Sequence, residues 1–119
     1  RDRDIGGTST STSGPLRWMS PESMISGDYS TASDVFMFGQ TLVEMLTCQV
    51  PWPDDNATVA SSKTLTQVQP PLDGCEPALV KLQRACTAWD KAMRPTVWDI
   101  LKSLKDLHST VSKAEHTSS

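Results

Sequence analysis

The chain has 119 residues, enough for one compact domain with a single hydrophobic core. Its formal net charge of -3 and 21% charged residues give no reason to expect a nucleic-acid or membrane-surface partner. Cys48, Cys75 and Cys86 are an odd count without paired metal spacing and lie in or beside apolar stretches, which fits reduced thiols in an intracellular compartment, the cytoplasm first.

The opening Arg1-Asp2-Arg3-Asp4 is too charged to begin a signal sequence, and no apolar run reaches the roughly 20 residues of a membrane span. The lack of an initial methionine fits a piece of a longer protein. From Gly6 to Gly14, three glycines surround six consecutive hydroxyl residues with no apolar anchor, so residues 1–14 are expected to be a flexible loop. Order is expected from Pro15. Leu16, Trp18 and Met19 form an apolar cluster before Pro21, which disfavours helix at Ser20 and permits a short one over Pro21–Met24.

From Ser33 to Thr47, Val35, Phe38, Leu42, Val43 and Leu46 follow helical spacing, with Thr31 and Asp34 placed as a capping box. Phe36, Met37 and Met45 widen the apolar face, which predicts a central, buried helix. The proline-rich stretch Pro51 to Gly74 reads as a long connection with one short helix near Ala57–Lys63. A helix is predicted from Pro77 to about Ala88 with Leu79, Leu82 and Cys86 inward. The last starts at Thr96, capped by Asp99, with Val97, Ile100, Leu101, Leu104 and Leu107 on one face; residues 109–119 are expected to fray.

Four blocks, in order, resemble the C-terminal lobe of eukaryotic protein kinases. Pro15-Leu16-Arg17-Trp18-Met19-Ser20-Pro21-Glu22 resembles the end of the activation segment and its Ala-Pro-Glu signature, with serine in the alanine position. Ser33-Asp34-Val35-Phe36-Met37-Phe38-Gly39 resembles Ser-Asp-Val-Trp-x-Phe-Gly, the start of the central helix of that lobe. Pro51-Trp52-Pro53 is similar to the turn that follows, and Asp90-Lys91-Ala92-Met93-Arg94-Pro95-Thr96 to Asp-Pro-x-x-Arg-Pro-Ser/Thr before the last helix.

The resemblance implies a mainly α fold: the helical C-terminal lobe of a kinase-like domain, cut at the activation segment. Residues 1–14 would be the remnant of that segment, 15–108 a partial lobe and 109–119 a disordered tail. It implies a buried ion pair between Glu22 and Arg94, for which a guanidinium and a carboxylate suit one another. Asp34 would accept hydrogen bonds from the catalytic loop, although an aspartate near a helix start also has a purely local use. Ser20, Pro21 and Gly39 complete the structural motifs. Pro15, Leu16, Arg17 and Trp18 would form the shelf that receives the substrate residue after the phosphorylated one, or serve as core anchors.

Thr8, Ser9, Thr10, Ser11, Thr12 and Ser13 lie where activation loops carry regulatory phosphate, or form a plain linker. Pro15 and its neighbours look like tyrosine kinases and tyrosine-kinase-like serine/threonine kinases. The spacing of Trp89 from Cys86, and Lys91 in place of proline, depart from the tyrosine pattern and leave acceptor specificity open. Arg1-Asp2 and Arg3-Asp4 lack the rest of a catalytic loop, and Asp4-Ile5-Gly6 lacks the apolar strand that precedes Asp-Phe-Gly. No catalytic or metal-binding residue is therefore assigned. ATP and magnesium are expected for the complete parent, with a protein substrate and the remainder of the kinase domain as partners. A pseudokinase or scaffold parent is the alternative, toward which Phe36 and Ser20 lean.

Overall fold

The computed structural model describes residues 16–118, with side chains from Leu16 to Lys113. A single 3-10 turn over Leu16–Trp18 leads into α1 (Pro21–Ser26), followed by α2 (Thr31–Thr47), α3 (Ala57–Leu65) and α4 (Pro77–Cys86). A second 3-10 turn, Lys91–Met93, precedes α5 (Val97–Ser118), and no strand occurs among the described residues. The mainly α architecture expected from the periodicity is the one observed.

Local chemistry sets most boundaries. Ser20 caps α1 through its side chain, Pro21 occupies the first turn, and Gly27 ends the helix with φ of 68°. Helix α2 starts at Thr31, the residue expected to cap it, so its cap lies one residue earlier, at Ser30. The capping box is formed by Ser30 and Ser33, not by Thr31 and Asp34: Ser30 N–H donates to Ser33 Oγ at 2.7 Å, and Ser33 N–H to Ser30 Oγ at 3.3 Å. A serine hydroxyl at the third helical position substitutes for the usual carboxylate, which hid the register in the sequence. At α5, Thr96 and Asp99 exchange the expected hydrogen bonds at 3.2 and 3.1 Å.

The tail departs from expectation, because α5 continues to Ser118 instead of fraying from Ser109. No proline or glycine follows Pro95 to stop it, and Lys113, Ala114 and Glu115 are good helix formers.

Helix α2 packs against α4 and the first 3-10 turn, and α4 in turn meets α5. Val35, Leu42, Leu82, Cys86 and Ile100 form the core, flanked by Phe38, Leu46 and Leu104. The apolar girdle of α2 is incomplete: Phe36 is buried, whereas Met37 and Met45 are exposed, because no described element covers that side. On α4, Leu82 and Cys86 face inward as expected, Leu79 is only half-buried, and Gln83 is fully buried. Its Nε2 donates to Oε1 of Gln40, also buried, at 3.3 Å. This polar pair inside the α2–α4 contact satisfies groups that would otherwise be costly to bury.

The cysteines differ in reactivity accordingly. Burial pushes the Cys86 thiol up to about 11, while Cys48 is exposed at the end of α2. Maleimide labelling of the native chain at neutral pH is expected to modify Cys48 rapidly and Cys86 only after denaturant is added. Equal rates at both cysteines would show that the α2–α4 core is open.

Candidate functional site

The segment from Leu16 to Glu22 is held at both ends by arginines that satisfy backbone carbonyls. Arg17 donates through Nη1 to the carbonyls of Pro51 (3.0 Å) and Trp52 (2.8 Å), and through Nη2 to that of Asp55. One guanidinium thus fixes the whole turn after α2. Trp52 has φ of 52°, a left-handed conformation disfavoured for a large side chain. Its buried ring and the Arg17 hydrogen bond to its carbonyl compensate for that strain. Next along the chain, Trp18 Nε1–H donates to the Glu44 carboxylate of α2 at 2.6 Å, a charge-assisted bond.

Arg17→Met is expected to remove a donor from three carbonyls, leaving Trp52 only the Asp55 N–H, and to release the 51–55 turn. Hydrogen exchange of the amides of Trp52 and of residues 54–56 should accelerate by at least about tenfold, corresponding to ~1.4 kcal/mol of local stability. Unchanged protection there would remove Arg17 as the anchor.

At the other end, Ser20 is fully buried, and its hydroxyl donates to Ser23 Oγ, which donates onward to the Asp28 carbonyl, each at 2.8 Å. This short relay gives a serine a specific use in the alanine position of the signature. Beside it, Arg94 Nη1 and Nη2 donate to Glu22 Oε2 and Oε1 at 2.7 and 2.9 Å, a two-pronged ion pair. Nη1 also donates to the Ala32 carbonyl, Nη2 to that of Trp89 and Nε to that of Ala88. All five N–H groups of the guanidinium are therefore used.

The Arg94 side chain is 0% exposed and that of Glu22 16%, so this is a buried rather than a surface pair. The Phe36 ring lies under the guanidinium, with 5.0 Å from its carbon to the centroid. Burial pushes the Glu22 carboxyl up, but the hydrogen bonds and charge of Arg94, with its own backbone and Ser20, hold it below its ordinary value near 4.5.

Other sequence-selected positions divide sharply. Gly39 sits where α2 crosses the end of α4. Asp34 is exposed in the first turn of α2, beside an apolar recess. Pro15, the hydroxyl run Thr8 to Ser13 and the Arg1 to Gly6 stretch lie outside the described residues.

Three contacts had no signature that would reveal them. Lys91 Nζ meets Asp28 Oδ2 at 2.6 Å, an exposed bridge that raises the lysine above its ordinary value. Departure from proline at this position was visible in the sequence, but its partner lies 63 residues away. Likewise, nothing in the spacing pairs Arg17 with the 51–55 carbonyls or Gln40 with Gln83.

Among the described residues, no three His, Cys, Asp or Glu side chains converge to hold a metal ion. No helix among them is long and apolar enough to cross a membrane.

The arrangement defines a helical lobe whose leading segment is tied to the α2–α3 turn at one end and to the loop before α5 at the other. The chain belongs to the protein tyrosine and serine/threonine kinase family, whose model matches residues 2–104. It is similar to human inactive tyrosine-protein kinase 7, at 36% identity over 99 residues, covering 77% of this chain and 9% of that protein. Bovine insulin-like growth factor 1 receptor is 36% identical over 94 residues, covering 77% of this chain and 15% of the receptor. Mouse tyrosine-protein kinase RYK is 32% identical over 100 residues, covering 82% and 17%. The chain thus spans under a fifth of the length of each of these relatives.

Proposed function

We propose that this chain is the substrate-facing and structural part of a kinase C-terminal lobe. Its complete parent would transfer the γ-phosphate of ATP to a serine, threonine or tyrosine of a protein substrate. Pro15, Leu16, Arg17 and Trp18 form the substrate shelf, and the observation that carries this reading is the double anchoring of the shelf segment through Arg17 and through Glu22 with Arg94. Binding of ATP and magnesium and the transfer step belong to residues outside this chain. Phosphorylation within Thr8 to Ser13 would regulate the parent by adding negative charge next to the shelf.

A recess of about 230 Å³, lined by Val35, Phe38, Val97, Ile100, Leu101 and Leu104 with Asp34 beside it, suits an apolar surface from the rest of the lobe. Val97 and Leu101 are 55% and 42% exposed there, so the chain gains burial on joining its remainder. A reducing intracellular setting is part of this reading, supported by the odd count of cysteines without paired metal spacing.

The test is phosphotransfer to peptides by the intact parent and by this chain alone. The parent is expected to turn over, and to change its preference for the residue after the acceptor when Leu16 is replaced by Ala. The 119-residue chain is expected to transfer nothing. Transfer by the purified chain would overturn the division of labour, and an inactive parent that still binds partner proteins through this lobe would favour a scaffold.

A further inference from the structure

A second site lies where α1, α2 and the end of α3 meet the connection after it. A cavity of about 110 Å³ is lined there by Pro21, Phe36, Gln40, Thr64, Gln69 and Thr87, among others, and no charged side chain contributes to it. Gln40, Thr64 and Thr87 are 2%, 4% and 4% exposed. The Thr64 hydroxyl is buried and has no hydrogen-bond partner among the described residues. Its neighbours are already engaged. Thr87 Oγ1 donates to the Gln83 carbonyl at 2.9 Å and accepts from Gln69 Nε2 at 3.1 Å, while Gln40 Oε1 accepts from Gln83.

These features narrow the chemistry of an occupant. With no charged group in the lining, an ion would meet no countercharge, so the occupant is neutral. The free hydroxyl offers one donor and two acceptor positions to a polar group. Phe36 and Pro21 offer apolar surface that water alone would hydrate poorly. At roughly 30 Å³ per water molecule, the space corresponds to about four waters, or to one molecule the size of acetamide or 2-propanol.

We propose that this cavity binds a small neutral molecule carrying a hydroxyl or primary amide, which pairs with Thr64 Oγ1 and rests its apolar part on Phe36 and Pro21. The site is distinct from the shelf and holds whether or not the parent is an active kinase. Occupancy would nevertheless be felt at the ion pair, since Pro21 adjoins Glu22 and the Phe36 ring lies under Arg94. A ligand that binds only the folded chain also raises its unfolding midpoint by mass action.

The experiment is a titration of the 119-residue chain with acetamide and, separately, with 2-propanol, followed by amide NMR shifts and by the thermal midpoint. Saturable shifts are expected at residues 64–69 and 87–89 and, through the contacts of Pro21 and Phe36, at Glu22, Phe36 and Arg94, with dissociation constants in the millimolar range.

Thr64→Val removes the hydroxyl while keeping the shape and is expected to weaken acetamide binding about fivefold, the equivalent of one net hydrogen bond of ~1 kcal/mol. Thr64→Ser is expected to retain binding, and Phe36→Trp to abolish it by filling the space. If Phe36→Trp does not fold, the Val and Ser variants decide. Linear, non-saturating shifts with both probes would mean that the cavity takes water only and would overturn the proposal. So would a dissociation constant unchanged by Thr64→Val, or a wild-type chain whose spectrum and midpoint neither probe alters.

Discussion

Arg94→Met is expected to destabilise the chain by about 3–5 kcal/mol, because removing one partner of a buried ion pair strands the other. The methionine fills much of the volume but supplies none of the five hydrogen bonds that Arg94 makes. Glu22, with its side chain 16% exposed, then lacks its countercharge, and the carbonyls of Ala32, Ala88 and Trp89 lose a donor. Against a domain stability on the order of 5–15 kcal/mol, a loss of this size leaves a large unfolded fraction at 37 °C in the lower half of that range.

Arg94→Lys is expected to recover less than half, since an ammonium keeps the charge but cannot make the two-pronged contact. Urea unfolding measures both variants. A loss below about 1 kcal/mol for Arg94→Met would place the pair with ordinary surface bridges.

The same pair gives a pH signature with a definite sign. The Glu22 carboxyl is held below its ordinary value near 4.5 in the folded chain, so the unfolded chain takes up its proton first as pH falls. Its contribution is fully present above pH 4.5 and is lost as pH falls from there through the lower folded value. Wild type and Glu22→Gln are therefore expected to differ most in stability near neutral pH and to converge in acid. A constant difference across that window would mean that Glu22 does not change its proton affinity on folding.

Helices α2, α4 and α5 were legible because each combines an apolar period with a start or stop residue: Pro51 follows the first, and Pro77 and Thr96 open the others. The Glu22–Arg94 pair was legible only through motif resemblance, since 72 residues separate its partners and charge alone does not specify pairing. The capping register of α2 was misread because Ser30, Thr31, Ser33 and Asp34 are all competent cap residues, and only the backbone at Ser30 decides among them.

Met37 and Met45 looked like core by composition but face outward, since which sides of a helix are covered depends on tertiary neighbours. Conversely, Gln40 and Gln83 were passed over because an isolated glutamine reads as surface, whereas two of them facing each other satisfy part of their needs in the core. Arg17 shows a related blind spot: backbone carbonyls leave no residue-type trace, so an arginine devoted to them looks like any other.

Gly39→Val is the second substitution expected to have a large effect, and its neighbour Gly39→Ala shows which force dominates. Helix propensity alone makes alanine better than glycine in a helix interior by about 1 kcal/mol. A Cβ at this position, however, would stand 2.6 Å from Thr87 Cγ2, 2.9 Å from Cys86 Cβ and 3.3 Å from the Gln83 carbonyl oxygen.

Thr87 cannot simply rotate away, because its hydroxyl donates to Gln83 and accepts from Gln69. Cys86 can yield only if the end of α4 moves, and with it the buried Gln40–Gln83 pair. Overpacking of this kind costs about 1–3 kcal/mol, so Gly39→Ala is expected to be net destabilising despite its propensity gain. Gly39→Val adds two methyl groups and β-branching, which places it at or above the upper end of that range.

Thr87→Ser removes the nearest clashing methyl while keeping the hydroxyl, so in the Gly39→Ala background it is expected to return part of the loss. A double-mutant cycle in urea measures that coupling at about 0.5–1.5 kcal/mol. Gly39→Ala being more stable than wild type, with no coupling to Thr87, would mean that α2 and α4 do not approach this closely in solution.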